Sequence, residues 1–160
     1  MTPDRAQILE WLSSVPDPEV PVVSIAELGI IRDIQVNGTV TVSLAPTYSG
    51  CPATEVIEQS VIENLQQHGV DNVRIKRVLS PAWTTDWISE SGLRKLKDYG
   101  IAPPAKTGSK RDLLFGARVI RCPRCESEST RCISEFGSTA CKAAYVCDSC
   151  LEPFEYFKCI

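Results

Sequence analysis

Pro46-Thr47-Tyr48-Ser49-Gly50-Cys51-Pro52-Ala53-Thr54-Glu55-Val56 joins two stretches of different hydrophobic period. Before it, Val40-Thr41-Val42-Ser43-Leu44 alternates apolar and polar side chains, as a half-buried strand does. After it, Val56, Ile57, Val61 and Leu65 recur on one stripe of a helix. Pro52 suits the first helical position, where a missing N–H costs nothing, so Cys51 is expected at or next to the N-cap. Free N–H groups and the positive end of the helix dipole there favour thiolate, the form that attacks electrophiles and ligates metals. This reading expects an accessible, activated thiol. The plain alternative is a small cysteine packed at a strand–helix corner.

Working outward, residues 2–15 carry Ile8, Leu9, Leu12 and Val15 at helical spacing, with Thr2 as the cap and Pro3 in the first turn. Pro16 and Pro18 stop that helix. Asp17-Pro18-Glu19 through Leu28-Gly29 has no steady period and reads as a shaped loop. Asp17 and Glu19 either point carboxylates into a pocket or serve as turn residues, Asp before Pro being a frequent turn starter. Ile30 to Val36 and Thr39 to Leu44 flank Asn37-Gly38, a strong hairpin signal that asks for positive φ at both positions. The Cys51 helix ends at His68-Gly69. Val73 to Leu79 is a third strand. The order α-β-β-α-β predicts a small α+β domain with helices on one sheet face. Trp83 and Trp87 follow, either covering the Cys51 site or plugging the core. Leu93, Leu96 and Tyr99 mark a short helix, and residues 101–112 are a linker by composition.

At 43% hydrophobic and 23% charged the chain is globular rather than disordered. No apolar run approaches the roughly 18 residues of a membrane span. The N-terminus lacks a basic start and an apolar core, so a cytoplasmic location is expected. Residues 1–104 hold 8 Lys/Arg against 13 Asp/Glu, and residues 105–160 hold 9 against 7, too small an excess to mark a nucleic-acid binder.

Of eight cysteines, seven crowd into residues 122–159. In a reducing compartment such a cluster reads as metal binding before disulfides. Cys122-Pro123-Arg124-Cys125 and Cys147-Asp148-Ser149-Cys150 are two Cys-x-x-Cys turns with 21 residues between them, a spacing close to that of four-cysteine zinc sites. Each turn offers two thiolates, and a module of this size needs a staple, so an all-β metal ribbon is expected. Cys132, Cys141 and Cys159 remain as further candidate ligands, a redox pair or packing. A two-residue turn at Phe136-Gly137 would set Cys132 opposite Cys141. Thiolates suit zinc and iron–sulfur clusters alike, so ligand type leaves the metal open.

The combination of Asp17-Pro18-Glu19, Leu28-Gly29, Ser49-Gly50-Cys51-Pro52 and Pro81-Ala82-Trp83 resembles the SufT-like iron–sulfur assembly domains over residues 5–100. Cys122-Pro123-Arg124-Cys125, Phe136-Gly137-Ser138-Thr139-Ala140-Cys141-Lys142 and Cys150-Leu151-Glu152-Pro153-Phe154 extend the likeness. Together they resemble the PaaD family, accessory proteins of the bacterial phenylacetyl-CoA epoxidase system. The resemblance implies a SufT-like domain over 1–104, a linker at 105–114 and a zinc ribbon over 115–160. It implies a maturation factor, not a turnover enzyme, that handles iron or an iron–sulfur cluster through Cys51 with Asp17 and Glu19 nearby. The implied partners are epoxidase subunits, the di-iron oxygenase or the iron–sulfur reductase, with a homodimer as a further arrangement. Glu126 and Leu151 stand where ribbons often carry Gly, which puts the knuckle geometry in question.

Two other readings compete. A thiol enzyme would need a base beside Cys51, and the one histidine, His68, lies about 20–25 Å along the helix. A nucleic-acid-binding ribbon would use Arg111, Arg118, Arg121, Arg124 and Arg131, but acidic residues are interspersed among them.

Overall fold

The computed structural model describes residues 2–48, 50–104 and 119–157, in two compact units that divide between Gly92 and Leu93. The first unit starts with α1 (Arg5–Leu12). Asp4, not Thr2, caps it: its Oδ1 accepts from the Gln7 N–H at 2.8 Å while its own N–H donates to Gln7 Oε1 at 3.1 Å. Ile8, Leu12 and Val15 are buried, whereas Leu9 turns outward.

β1 (Ile31–Val36) and β2 (Val40–Leu44) pair antiparallel, with Val36 opposite Val40. The turn is one residue longer than the two-residue form, and among its residues only Gly38 has positive φ, +75°. From β2 the chain enters α2 (Ala53–Gln67) and returns as β3 (Val73–Arg77), parallel to β2 with Ile75 opposite Val42. The sheet order is β1-β2-β3. α1 packs on α2 and β1, and α2 on β3, so both helices cover one face as the α+β reading expects. Ala53, Thr54, Ile57, Val61 and Leu65 form the buried stripe of α2. Val56, expected on that stripe, is 52% exposed.

The two tryptophans of the loop after β3 are structural. Trp83 is buried and its Nε1–H donates to the Leu28 carbonyl at 2.8 Å. A Cβ on Gly29 would lie 2.5 Å from the Trp87 carbonyl oxygen and 2.6 Å from its Cβ, and Gly29 sits at φ +71°. The Arg32 guanidinium lies 3.5 Å from the Trp87 ring centroid. The Leu28-Gly29 pair is thus the seat on which the tryptophan loop is docked.

α3 (Glu90–Asp98) crosses the division between the units. The second unit is a four-stranded sheet, β4 (Ile101–Ala102), β5 (Thr130–Ser134), β6 (Lys142–Cys147) and β7 (Pro153–Phe157), in the order β4-β7-β6-β5. Residues 101 and 102, taken as linker from their composition, are a strand: Ile101 and Ala102 pair in parallel with Glu155 and Tyr156. The expected linker at 105–114 lies outside the described residues, as do Arg111, Arg118 and Cys159. Ala102, Ile120, Cys122, Cys147, Phe154 and Tyr156 make the core of this unit.

Gly29→Ala should lower the stability of the first unit by about 2 kcal/mol or more, because strain at positive φ adds to a backbone clash. Gly38→Ala, with the same φ strain but open space around the new methyl, should cost about 1 kcal/mol. Urea unfolding followed by tryptophan fluorescence reads both, since all three tryptophans lie in this unit.

Candidate functional site

Two thiol sites emerge, one in each unit. In the first, the chain leaves β2 at Leu44 and turns back before α2. The Cys51 N–H donates to the Tyr48 carbonyl at 3.3 Å and the Cys51 carbonyl accepts from the Thr54 N–H at 3.1 Å. Pro52 is itself the N-cap, with helical φ, so Cys51 stands one residue outside the helix. Its side chain is 8% exposed, against the expectation of an accessible thiol. The reason is geometric: α2 lies on the sheet from its first turn, and the preceding residue is drawn into the corner between them.

Cys51 faces a cavity of about 10 Å³ shared with Asp17, Glu19, Ile30, Leu44, Pro46, Thr47, Thr54 and Ile57. That is room for roughly one water molecule. The three residues singled out by sequence thus meet on one cavity. Asp17 is also a turn residue. Its Oδ1 accepts from the N–H groups of Glu19 at 2.9 Å and Val20 at 2.8 Å, and its N–H donates to the Val23 carbonyl at 2.9 Å. Pocket and turn therefore coexist: the turn is what delivers the Asp17 and Glu19 side chains to the cavity. Thr47 and Thr54, which sequence reasoning passed over, also line it. Trp83 and Trp87 do not line it. His68 lies at the far end of α2, stacked on Trp11 at 4.4 Å, with Nδ1 2.8 Å from the Asn64 carbonyl.

In the second unit, the Sγ atoms of Cys122, Cys125, Cys147 and Cys150 all lie within 4.8 Å of one another. Cys122 to Cys150 is 3.7 Å and Cys125 to Cys147 is 3.5 Å. Four sulfurs about 2.3 Å from a tetrahedral zinc ion would be about 3.8 Å apart, so the donor set fits a metal of that size. The Cys150 N–H points at Cys147 Sγ at 3.5 Å, the N–H···S bond of a metal knuckle. The doubt about Glu126 and Leu151 resolves in favour of the knuckles. Both adopt left-handed backbone, φ +61° and +62°, the conformation that Gly supplies more cheaply. Glu126 at that angle donates its N–H to the Cys122 carbonyl at 2.8 Å.

Cys125, Cys147 and Cys150 are each shifted by their surroundings. Despite the Ser127 N–H, which favours its thiolate, burial and the neighbouring thiols push Cys125 up to about 12. The N–H of Cys150 above all draws Cys147 down to about 6. Cys150 is raised too: the Glu152 N–H favours its thiolate, but burial and the thiols of Cys147 and Cys122 outweigh it. Like charges packed this closely cannot all form without a cation among them.

Cys132 and Cys141 are not opposite each other. β5 and β6 are joined through residues 135–141, and a bulge between Cys132 and Ser134 sets Cys132 against Tyr145. Cys132 is exposed, and Cys141 is buried with its Sγ 3.0 Å from Thr139 Oγ1. Neither belongs to the four-sulfur cluster.

Two parts of the chain match known families. Residues 5–76 match the iron–sulfur cluster assembly protein family, and residues 106–158 match the PaaD zinc β-ribbon domain. A protein of Escherichia coli (strain K12), provisionally named as a component of 1,2-phenylacetyl-CoA epoxidase, is 47% identical over 159 residues, 99% of this chain and 94% of its own length. Two solved structures share the fold of part of this chain. A domain of unknown function from Bacillus anthracis is 24% identical with TM-score 0.54, covering 57% of this chain and 89% of its own. A conserved hypothetical protein from Thermotoga maritima is 26% identical with TM-score 0.51, covering 59% and 95%.

Metal uptake by the metal-free chain at pH 7 should release more than one proton per ion, because Cys125 and Cys150 hold theirs until a cation displaces them. Affinity should therefore fall as pH falls. A zinc titration in weak buffer with a pH indicator measures the release. Cys122→Ser should abolish uptake and lower amide protection in residues 119–157 while the first unit stays folded.

Proposed function

The chain belongs to the PaaD family, and on that footing we propose that it is a maturation factor for the phenylacetyl-CoA epoxidase system of aerobic phenylacetate degradation. In this reading iron or an iron–sulfur cluster is cargo, bound at Cys51 and passed to the di-iron oxygenase or the iron–sulfur reductase. The four-cysteine ribbon holds zinc and does no chemistry of its own. The supporting observation is the convergence of Cys51, Asp17 and Glu19 on one cavity. A soft thiolate with hard carboxylates is a donor set that iron accepts.

The cavity is too small for a cluster, so loading would require the turn before α2 to open or a partner to supply donors. Burial then has a use: it keeps the thiol from oxidants until the turn opens. The histidine is no base for Cys51, since it is tied to Asn64 and Trp11 at the other end of α2. The nucleic-acid reading loses support as well, because Arg121, Arg124 and Arg131 are paired with Glu128, Glu152 and Asp148. Among the described residues no helix is long and apolar enough to cross a membrane.

Cys51→Ala and Cys51→Ser should leave both units folded and zinc bound, yet lower the iron content and activity of epoxidase subunits co-expressed with the variant. Clients already loaded with metal should work without the protein. Equal iron loading with wild type and variant rejects metal transfer. If wild-type protein instead raises the turnover of loaded clients, the chain acts as a subunit of the working enzyme.

A further inference from the structure

Three side-chain ties connect the first Cys-x-x-Cys arm to the second. Ser127 and Ser149 share a hydrogen bond of 2.7 Å between their hydroxyls. Arg131 Nε donates to Asp148 Oδ1 at 2.9 Å. Arg124 Nη1 donates to Glu152 Oε2 at 2.7 Å. The last stands apart by position. Arg124 lies between two ligands, Cys122 and Cys125, and Glu152 is two residues beyond a third, Cys150.

The ligands are not equally protected. Cys122 and Cys147 belong to the core of the unit and are buried, whereas Cys125 is exposed and Cys150 is half-buried. A tetrathiolate site loses its ion one ligand at a time, and the thiolate that water and chelators reach first is that of Cys125. For Cys125 to swing away, its arm must part from the arm that carries Cys150. The Arg124–Glu152 pair joins those two arms next to those two ligands. The guanidinium also brings a positive charge beside four thiolates, which keep a net charge of about −2 around a divalent ion.

Resting on the reading that the four cysteines hold a metal, we infer that the Arg124–Glu152 pair is a clasp between the knuckles that sets how fast the ion leaves. Arg124 and Glu152 are positioning residues; neither touches the ion. An exposed ion pair is worth at most roughly a fivefold effect, so the clasp tunes release and does not decide whether metal binds.

The test uses the full chain loaded with zinc, with metal content measured first, and follows transfer to an excess of a chromophoric chelator. R124Q and E152Q should each speed release measurably, by up to about fivefold. The double variant should be no faster than either alone, since both remove one interaction. The charge swap R124E/E152R should recover most of the slow rate. R121Q is the control: Arg121 is next to Cys122, but its partner Glu128 lies on the same arm, so breaking that pair should leave release unchanged. Circular dichroism confirms that each variant keeps its sheet. Wild-type release rates in both R124Q and E152Q overturn the clasp. Equal acceleration in R121Q also overturns it, by tracing the effect to charge alone. A wild-type chain that neither carries nor takes up zinc overturns the four-cysteine reading and the clasp with it.

Discussion

A parallel partner cannot be reached by a tight turn, so pairing β2 with β3 forces the chain through the fifteen residues of α2 before it can return. Most of the first unit follows from that detour. The crossover must start at the carboxyl end of β2, which places a loop and a helix N-terminus together at one end of the sheet. Ile57, Val61 and Leu65 hold α2 on that sheet, and the corner beneath its first turn becomes a cavity. The antiparallel bridge between Pro16 and Ser24 closes the Asp17 turn and delivers Asp17 and Glu19 to the same corner.

What the sequence made legible divides along physical lines. Hydrophobic period found the elements of the first unit because the apolar side chains of each recur mainly on one face. It misplaced Leu9 and Val56, which sit at the edges of their stripes, where a few tens of degrees of helix rotation decide burial. Motif residues were easier to notice than to interpret. Leu28-Gly29 stands out only as part of the motif set that carries the family resemblance, and Trp83 reads as either a cover for Cys51 or a core plug. In the structure they are the joint that fastens the tryptophan loop, through the Leu28 carbonyl and the missing Cβ of Gly29. Nothing local in Gly29 announces Trp87, which is far away in sequence. Cys51 was legible as a corner residue, but its burial depends on how α2 seats on the sheet, which is a tertiary property.

In the second unit the ligand pairs were legible from spacing, because Cys-x-x-Cys is a local geometry. The rest depended on register. One bulge beside Cys132 and the seven residues joining β5 to β6 separate two cysteines that a tight turn would have paired. Ile101-Ala102 looked like linker because two residues carry no period, and they are a strand only because β7 offers an edge. Glu126 and Leu151 show the opposite case. The sequence departs from the glycine preferred there, and the backbone takes the left-handed conformation regardless. That strain costs of order 1 kcal/mol per residue, small beside the roughly 10 kcal/mol or more of a closed zinc site.

The two thiol sites differ in how complete they are, and on the proposed reading the difference matches their roles. Four thiolates close a tetrahedron with no place left for another ligand, so such a site retains its ion and stabilises a fold. Cys51 brings one thiol and two carboxylates to a space of one water, with part of Asp17 already committed to its own turn. A site so short of donors cannot saturate a metal. Whatever binds there keeps positions open to another protein, which is what handing cargo on requires. On the proposed reading, carrying an unsaturated site and a saturated one in a single chain also limits mistakes: the ribbon would satisfy its own need for metal with zinc, and the Cys51 thiol would be left for the ion that must move.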